Sequence, residues 1–232
     1  MYEHNKVKVP ILDKVDLRSE DVEIWNQGTL GSCTGHALAA AFSFVAKKEG
    51  KPINVSRLFI YYNERVMENT VKQDAGAHIR DGVKVMQKLG APDEKYWPYN
   101  IEKFAKKPSI RAFTNAKKHQ VLEYRRLAGI DDFMGALSAG YPVVFGFSVY
   151  ESFETEEVAK TGNMVMPGLD ERCLGGHAVT AVGYDKEKDI AIVRNSWDVA
   201  WGDKGYFYMP LDMIRNPNLS DDFWTITKVE IS

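Results

Sequence analysis

Two segments hold the residues best suited to nucleophilic chemistry. The first reads Gln27-Gly28-Thr29-Leu30-Gly31-Ser32-Cys33-Thr34 and runs straight into an apolar, alanine-rich stretch. Its glycines and serine predict a tight turn that delivers Cys33 to the first turn of a helix. A thiol there sits at the positive end of the macrodipole, which favours thiolate. Free backbone N–H groups at such a helix start can also hold an oxyanion, and Gln27 offers a side-chain amide as a second donor. A cysteine in an apolar setting is ordinarily inert packing; the flanking glycines argue against that here.

The second segment, Gly175-Gly176-His177-Ala178-Val179, opens a β-rich run with glycines that admit close approach of another backbone or a ligand. A lone histidine at a strand start is more commonly structural. One strand further on stand Arg194-Asn195-Ser196-Trp197 and Trp201-Gly202-Asp203-Lys204-Gly205-Tyr206. Antiparallel neighbours can bring Asn195 beside His177. The expected geometry has the Asn195 oxygen accepting Nδ1–H of His177, leaving Nε2 to face sulfur. Trp197 would shield that bond from water.

Positioning these groups falls to two differently patterned halves. In the first, helices are expected over Ser32–Lys48 with Gly50 as its stop, after a Ser56 cap, and from near Ala77 to Leu89. In the second, a helix over Asp131–Ala139 precedes β runs at Val143–Phe147, Ala178–Tyr184, Ile190–Arg194 and Tyr206–Tyr208. Helices first and strands second predict an α+β arrangement, divided near residue 120 into lobes 1–120 and 121–232, with terminal segments free to cross over. The cleft between them is the default place for a site.

Composition narrows the partners. The chain has 232 residues, 44% hydrophobic and 27% charged, with a formal net charge of −2. That balance fits an ordinary globular protein and gives no field to gather nucleic acid or a membrane surface. The run Lys106-Lys107 with Lys117-Lys118 reads as a solvated helix face. Two cysteines, Cys33 and Cys173, do not make a disulfide scaffold, and residues 1–8 are polar with no apolar core of a signal peptide. The expectation is a cytoplasmic setting, a monomer, and no cofactor or metal.

Taken together and in chain order, Gln27, Gly31-Ser32-Cys33, Gly176-His177-Ala178, Asn195-Ser196-Trp197 and the Trp201–Tyr206 run resemble the signatures of the papain or cathepsin cysteine peptidases. His177 follows Cys33 within the roughly 130–150 residues usual there. Val15-Asp16-Leu17-Arg18 resembles the entry segment of these peptidases, and Asp74-Ala75-Gly76-Ala77 stands where they have a glycine-rich subsite loop. The resemblance implies a two-lobed fold, a helical N-terminal lobe and an antiparallel, barrel-like C-terminal lobe, hydrolysing peptide bonds with Cys33, His177, Asn195 and Gln27. It implies that Gly76 and Ala77 present backbone to an extended substrate. Ile79, Gly146, Gly175, Gly176, Ala178 and Trp197 would line the site, with Asp221 near the floor of the main side-chain pocket. Those residues favour an apolar P2 side chain, and a basic one if Asp221 points inward. A protein inhibitor is a compatible partner.

Departures from the pattern are local. Leu30 stands three residues before the nucleophile where a cysteine is usual, Asp74 replaces a second disulfide cysteine, Thr34 replaces an aromatic residue, and Asp198 replaces a glycine. No inhibitory prosegment is expected before Val15, and the resemblance is thus closer to a prosegment-free bacterial or viral branch. Three rival readings remain: acyl transfer, as in a transpeptidase, transglutaminase or deamidase; an inactive peptide-binding module; and a structural zinc site built from Cys33, His36, Cys173 and His177. Cys173 could also act as a redox partner of Cys33. His4, His78 and His119 are expected to face solvent or pack.

Overall fold

Residues 10–232 are described by a computed structural model, and His4 lies outside them. In chain order the elements are β1 (Lys14–Asp16), α1 (Cys33–Lys48), α2 (Arg57–Met67), α3 (Ile79–Lys88), α4 (Ile110–Ala116) and β2 (His119–Arg126). There follow α5 (Gly129–Ser138), β3 (Val143–Tyr150), α6 (Glu156–Thr161), β4 (Cys173–Asp185), β5 (Ile190–Arg194), β6 (Tyr206–Pro210), α7 (Leu211–Arg215) and β7 (Ser220–Ile231). No helix among the described residues is long and apolar enough to cross a membrane.

The expected helices form for the expected reasons. Ser56 caps α2, its hydroxyl accepting from Phe59 N at 3.1 Å. Helix α1 is buried from Thr34 to Ala46, and its alanines let neighbours approach closely. Gly35 is the tightest point, since a Cβ there would lie 2.6 Å from the Arg57 carbonyl oxygen of α2. Helix α3 starts two residues later than expected, because Gly76 is left-handed (φ 70°) and His78 is still extended. The lysine run is not a helix face: Lys106-Lys107 and Lys117-Lys118 lie exposed in the segments flanking α4.

The strands form an antiparallel sheet of order β2-β7-β3-β4-β5-β6, with β1 added against β4. One face of the sheet packs on α5 and α7 through Phe133, Leu137, Leu211 and Met213. The other meets α1 and α3, where Val144, Ala178, Trp224 and Ile226 join Leu38, Phe42, Val83 and Met86. A third core lies around α2, with Leu58, Phe59, Trp97 and Ala112. Strand β2 begins at His119, but β1 from the first half is bonded into the β-rich half.

A buried ion pair fastens the entry segment to the strand that leads to Asn195. Arg194 Nη1 lies 3.1 Å from Asp21 Oδ2 and 2.7 Å from Val22 O, and its other nitrogen donates to Glu23 O. Tyr206 donates to the same carboxylate at 2.7 Å, and the guanidinium sits 4.9 Å from the Trp25 ring centroid. Removing one partner of such a pair strands the other charge in the interior. Asp21→Ala is therefore expected to destabilise the fold by about 3–5 kcal/mol in urea unfolding; a loss below about 1 kcal/mol would mean the pair behaves as a surface contact.

Candidate active site

The turn and helix expected around Cys33 are present. Gly28 is left-handed (φ 61°), and Cys33 is the first residue of α1, half-buried with a free thiol. The turn is held by more than its own sequence. Tyr99 donates to Gln27 O at 2.7 Å and bonds the Ser32 hydroxyl at the same length. Asp74 accepts Gly31 N–H with both oxygens at 3.0 Å and Tyr61 O–H at 2.6 Å. The glycine-rich loop is thus clasped to the nucleophile turn by a carboxylate, close to where the resemblance implies a disulfide.

Sheet register delivers the other half of the site. Strands β4 and β5 pair Thr180 with Arg194, which leaves Asn195, just past the end of β5, within side-chain reach of His177. Their side chains meet at 2.8 Å, but through the opposite nitrogen from the one expected: His177 Nε2, not Nδ1, bonds Asn195 Oδ1. With Nε2 taken by Asn195, Nδ1 is the ring nitrogen left free, and the N–H of the next residue, Ala178, donates to Cys33 Sγ at 3.5 Å. Trp197 stacks on the ring at 4.9 Å between centroids and 24° between planes. Phe147 closes its edge at 5.8 Å.

Gln27 is oriented from across the cleft. Its backbone N–H donates to Ser196 O at 2.9 Å, and its side-chain oxygen accepts from the Ser196 hydroxyl at 2.7 Å. The amide nitrogen is thereby fixed on the Leu30 side, donating one hydrogen to Leu30 O at 3.0 Å and keeping one in reserve. Tyr99 lies outside the expected motifs, and the motifs that contain Ser196 and Asp74 do not show their holding roles, since each acts on a backbone or side chain far away in sequence.

Electrostatics at the centre are set by burial. It pushes the Cys33 thiol up, against the opposing effect of the Ala178 N–H, and takes His177 down to about 4, with the Asn195 bond resisting. Beneath Cys33, the next residue Thr34 donates to Glu64 Oε2 at 2.7 Å. Glu64 is wholly buried and burial raises it to about 8. Gly82 makes the space, because a Cβ there would lie 2.1 Å from Glu64 Oε1. Thr34 thus stands where related peptidases carry an aromatic residue, over a carboxylic acid instead.

The remaining candidates fall into two groups. Gly146 and Asp221 face each other across β3 and β7. A Cβ at residue 146 would lie 3.4 Å from Asp221 Oδ1 and 3.9 Å from Ile79 Cδ1, so these three share one wall. Gly175 and Gly176 are exposed with open space above both Cα atoms, and Gly76 and Ala77 are half-buried on the opposite rim. Asp198 holds a left-handed backbone (φ 81°), the conformation a glycine would take there without strain. His119 is buried, bonding Ala91 O at 3.1 Å, and exposed His78 pairs with Glu68 at 3.1 Å.

The four-ligand zinc arrangement does not assemble. Among the described residues the cluster with ligand-like spacing is Glu68, His78 and Asp81, without a cysteine. His36 turns inward, its Nδ1 bonding Ser32 O at 3.0 Å, while exposed Cys173 lies at the outer start of β4. Both thiols are free.

Burial of Glu64 has a consequence for stability. Between its ordinary value of 4.5 and about 8, the folded chain keeps a proton that the unfolded chain releases. Stability therefore falls as pH rises through that window, by at most roughly 1.4 kcal/mol per unit. Glu64→Gln keeps an acceptor for Thr34 and should flatten the slope in unfolding measured at pH 5 and pH 8. An unchanged slope would assign the titration to another group.

Comparison with known proteins follows the same lines. Residues 11–222 match the papain family cysteine protease profile. A peptidase C1-like protein of Acanthamoeba polyphaga mimivirus is 45% identical over 88% of this chain and 69% of its own length. Peptidase 1 of Psoroptes ovis is 27% identical over 88% of this chain and 62% of its own length. The chain therefore spans about two thirds of these relatives. The crystal structure of xylellain, a cysteine protease from Xylella fastidiosa, superposes with a TM-score of 0.91 at 40% identity, covering 99% of this chain and 91% of that one.

Proposed function

The chain belongs to the papain family of cysteine proteases, and on that premise we propose that Cys33, His177, Asn195 and Gln27 hydrolyse peptide bonds through an acyl-enzyme. One observation carries the assignment. A thiol at the start of a long helix lies against the strand residue after His177, while the far nitrogen of that imidazole is held by Asn195.

Burial opposes a lone charge on either group, but moving the proton from Cys33 Sγ to His177 Nδ1 creates no net charge. The thiolate and imidazolium then stabilise each other, with the α1 N-terminus behind the sulfur. The thiolate attacks the scissile carbonyl, and its oxygen becomes an oxyanion facing the Cys33 N–H and the reserve hydrogen of Gln27 Nε2. Losing one such donor raises the barrier by about 3 kcal/mol. As the C–N bond breaks, the imidazolium gives its proton to the leaving amine. Water then cleaves the thioester with His177 as base, releasing the acid and restoring the thiol.

The substrate is proposed to lie extended, with its backbone along Gly76 and Ala77 and its P2 side chain against Ile79, Gly146 and Ala178. Exposed Asp221 on the same wall supports acceptance of a basic P2 side chain beside apolar ones.

A fluorogenic dipeptide panel varied at P2 tests both levels. Cys33→Ala should abolish turnover of every member; surviving turnover would overturn the catalytic assignment. Asp221→Asn should lower kcat/KM for P2 Arg about two- to fivefold, the range of an exposed ion pair, and leave P2 Phe unchanged. Equal loss for both would remove Asp221 from the pocket while leaving the chemistry intact.

A further inference from the structure

Beside the imidazole support lies a small, partly enclosed space whose lining is chemically uneven. It measures about 10 Å³ and is bounded by Trp25, His36, Thr180, Arg194, Asn195 and neighbouring backbone. Two buried polar atoms among its lining residues have no partner, His36 Nε2 and Asn195 Nδ2. Each residue is only 2% exposed. A buried polar atom left unbonded is costly, and two lining one cavity are costlier still.

The protonation of His36 is fixed by its other bond. Its Nδ1 lies 3.0 Å from Ser32 O, and a carbonyl oxygen only accepts, so Nδ1 carries the hydrogen. Burial holds the ring neutral. Nε2 is therefore a bare acceptor. Asn195 Nδ2 is a donor, since the Asn195 oxygen already serves His177 Nε2 and Ser196 N. The residues that carry this free donor and this free acceptor both line a space that admits one water-sized sphere, the size at which a single internal water fits.

We propose that His36 is a positioning residue for the catalytic site, holding the Asn195 amide through one internal water that accepts from Asn195 Nδ2 and donates to His36 Nε2. The link opposes rotation of the amide. A flipped amide would present a hydrogen donor to His177 Nε2–H, freeing the ring to turn away from sulfur. His36 belongs to the nucleophile helix, so the link also ties α1 to the end of β5 independently of the reacting groups. The inference rests on the reading of Asn195 as the imidazole support.

A double-mutant cycle tests it. His36→Phe retains a ring of similar volume without an acceptor; His36→Gln restores an acceptor. A neutral hydrogen bond predicts that His36→Phe lowers kcat roughly three- to tenfold with KM unchanged. His36→Gln should recover most of that loss, and His36→Phe should cost nothing further in an Asn195→Ala background. Equal losses in the Phe and Gln variants, or a full loss added to Asn195→Ala, would reduce His36 to a packing role. Asn195→Ala with wild-type kcat would instead overturn the reading of the support, and the inference with it. Should His36→Phe not fold, a high-resolution crystal structure of the wild-type protein decides. Ordered water within hydrogen-bond distance of both atoms supports the link, and its absence overturns it.

Discussion

The whole arrangement depends on two groups that burial keeps from ionising separately. A desolvated thiol and a desolvated imidazole can hold charge only together, so their separation must be fixed by structures stiffer than themselves. One is the N-terminus of a long helix buried on every side; the other is a strand in the middle of the sheet. The contact of Ala178 N with Cys33 Sγ is where these two meet. The Arg194–Asp21 pair, the Ser196–Gln27 bonds and the Thr180 hydroxyl on Ala37 O keep that meeting in register from both sides.

How much of this could be read from sequence follows from the range of each interaction. The helix carrying Cys33 is written locally, in a glycine turn followed by small apolar residues and a closing Gly50. Strands β4 to β6 are equally visible as short β-branched and aromatic runs. Strand β7 has the aromatic and β-branched composition of a strand, but Phe223 to Ile226 are buried on both faces, which removes the alternation there, and two aspartates follow its first residue. Asn195 holds Nε2 and not the expected Nδ1, because motif spacing says which residues meet but not which nitrogen of a ring is presented. The holding roles of Ser196, Tyr99 and Asp74 are not legible in sequence for a related reason: each fixes geometry by a bond spanning dozens of residues.

Local departures from the family pattern also acquire physical sense. Asp198 keeps the left-handed backbone of the glycine it replaces, and its carboxylate accepts from Ala200 N at 3.1 Å and Asn26 Nδ2 at 3.2 Å. Thr34 gives up an aromatic contact and gains a buried acid. Burial raises that acid, Glu64, to about 8, and its charge, once formed, pushes the Cys33 thiol further up.

The Asp74 clasp separates two properties that a cystine would couple. A peptidase with a reactive sulfur needs thiol-preserving surroundings, yet such surroundings strip any disulfide that shapes its cleft. Here the rim is tied by a carboxylate to an amide and a phenol, which electron donors do not touch. The same conditions that keep residue 33 alive leave the rim intact. Oxidation of that thiol to a sulfenic acid or mixed disulfide is then undone by reduction, with no architecture to rebuild afterwards.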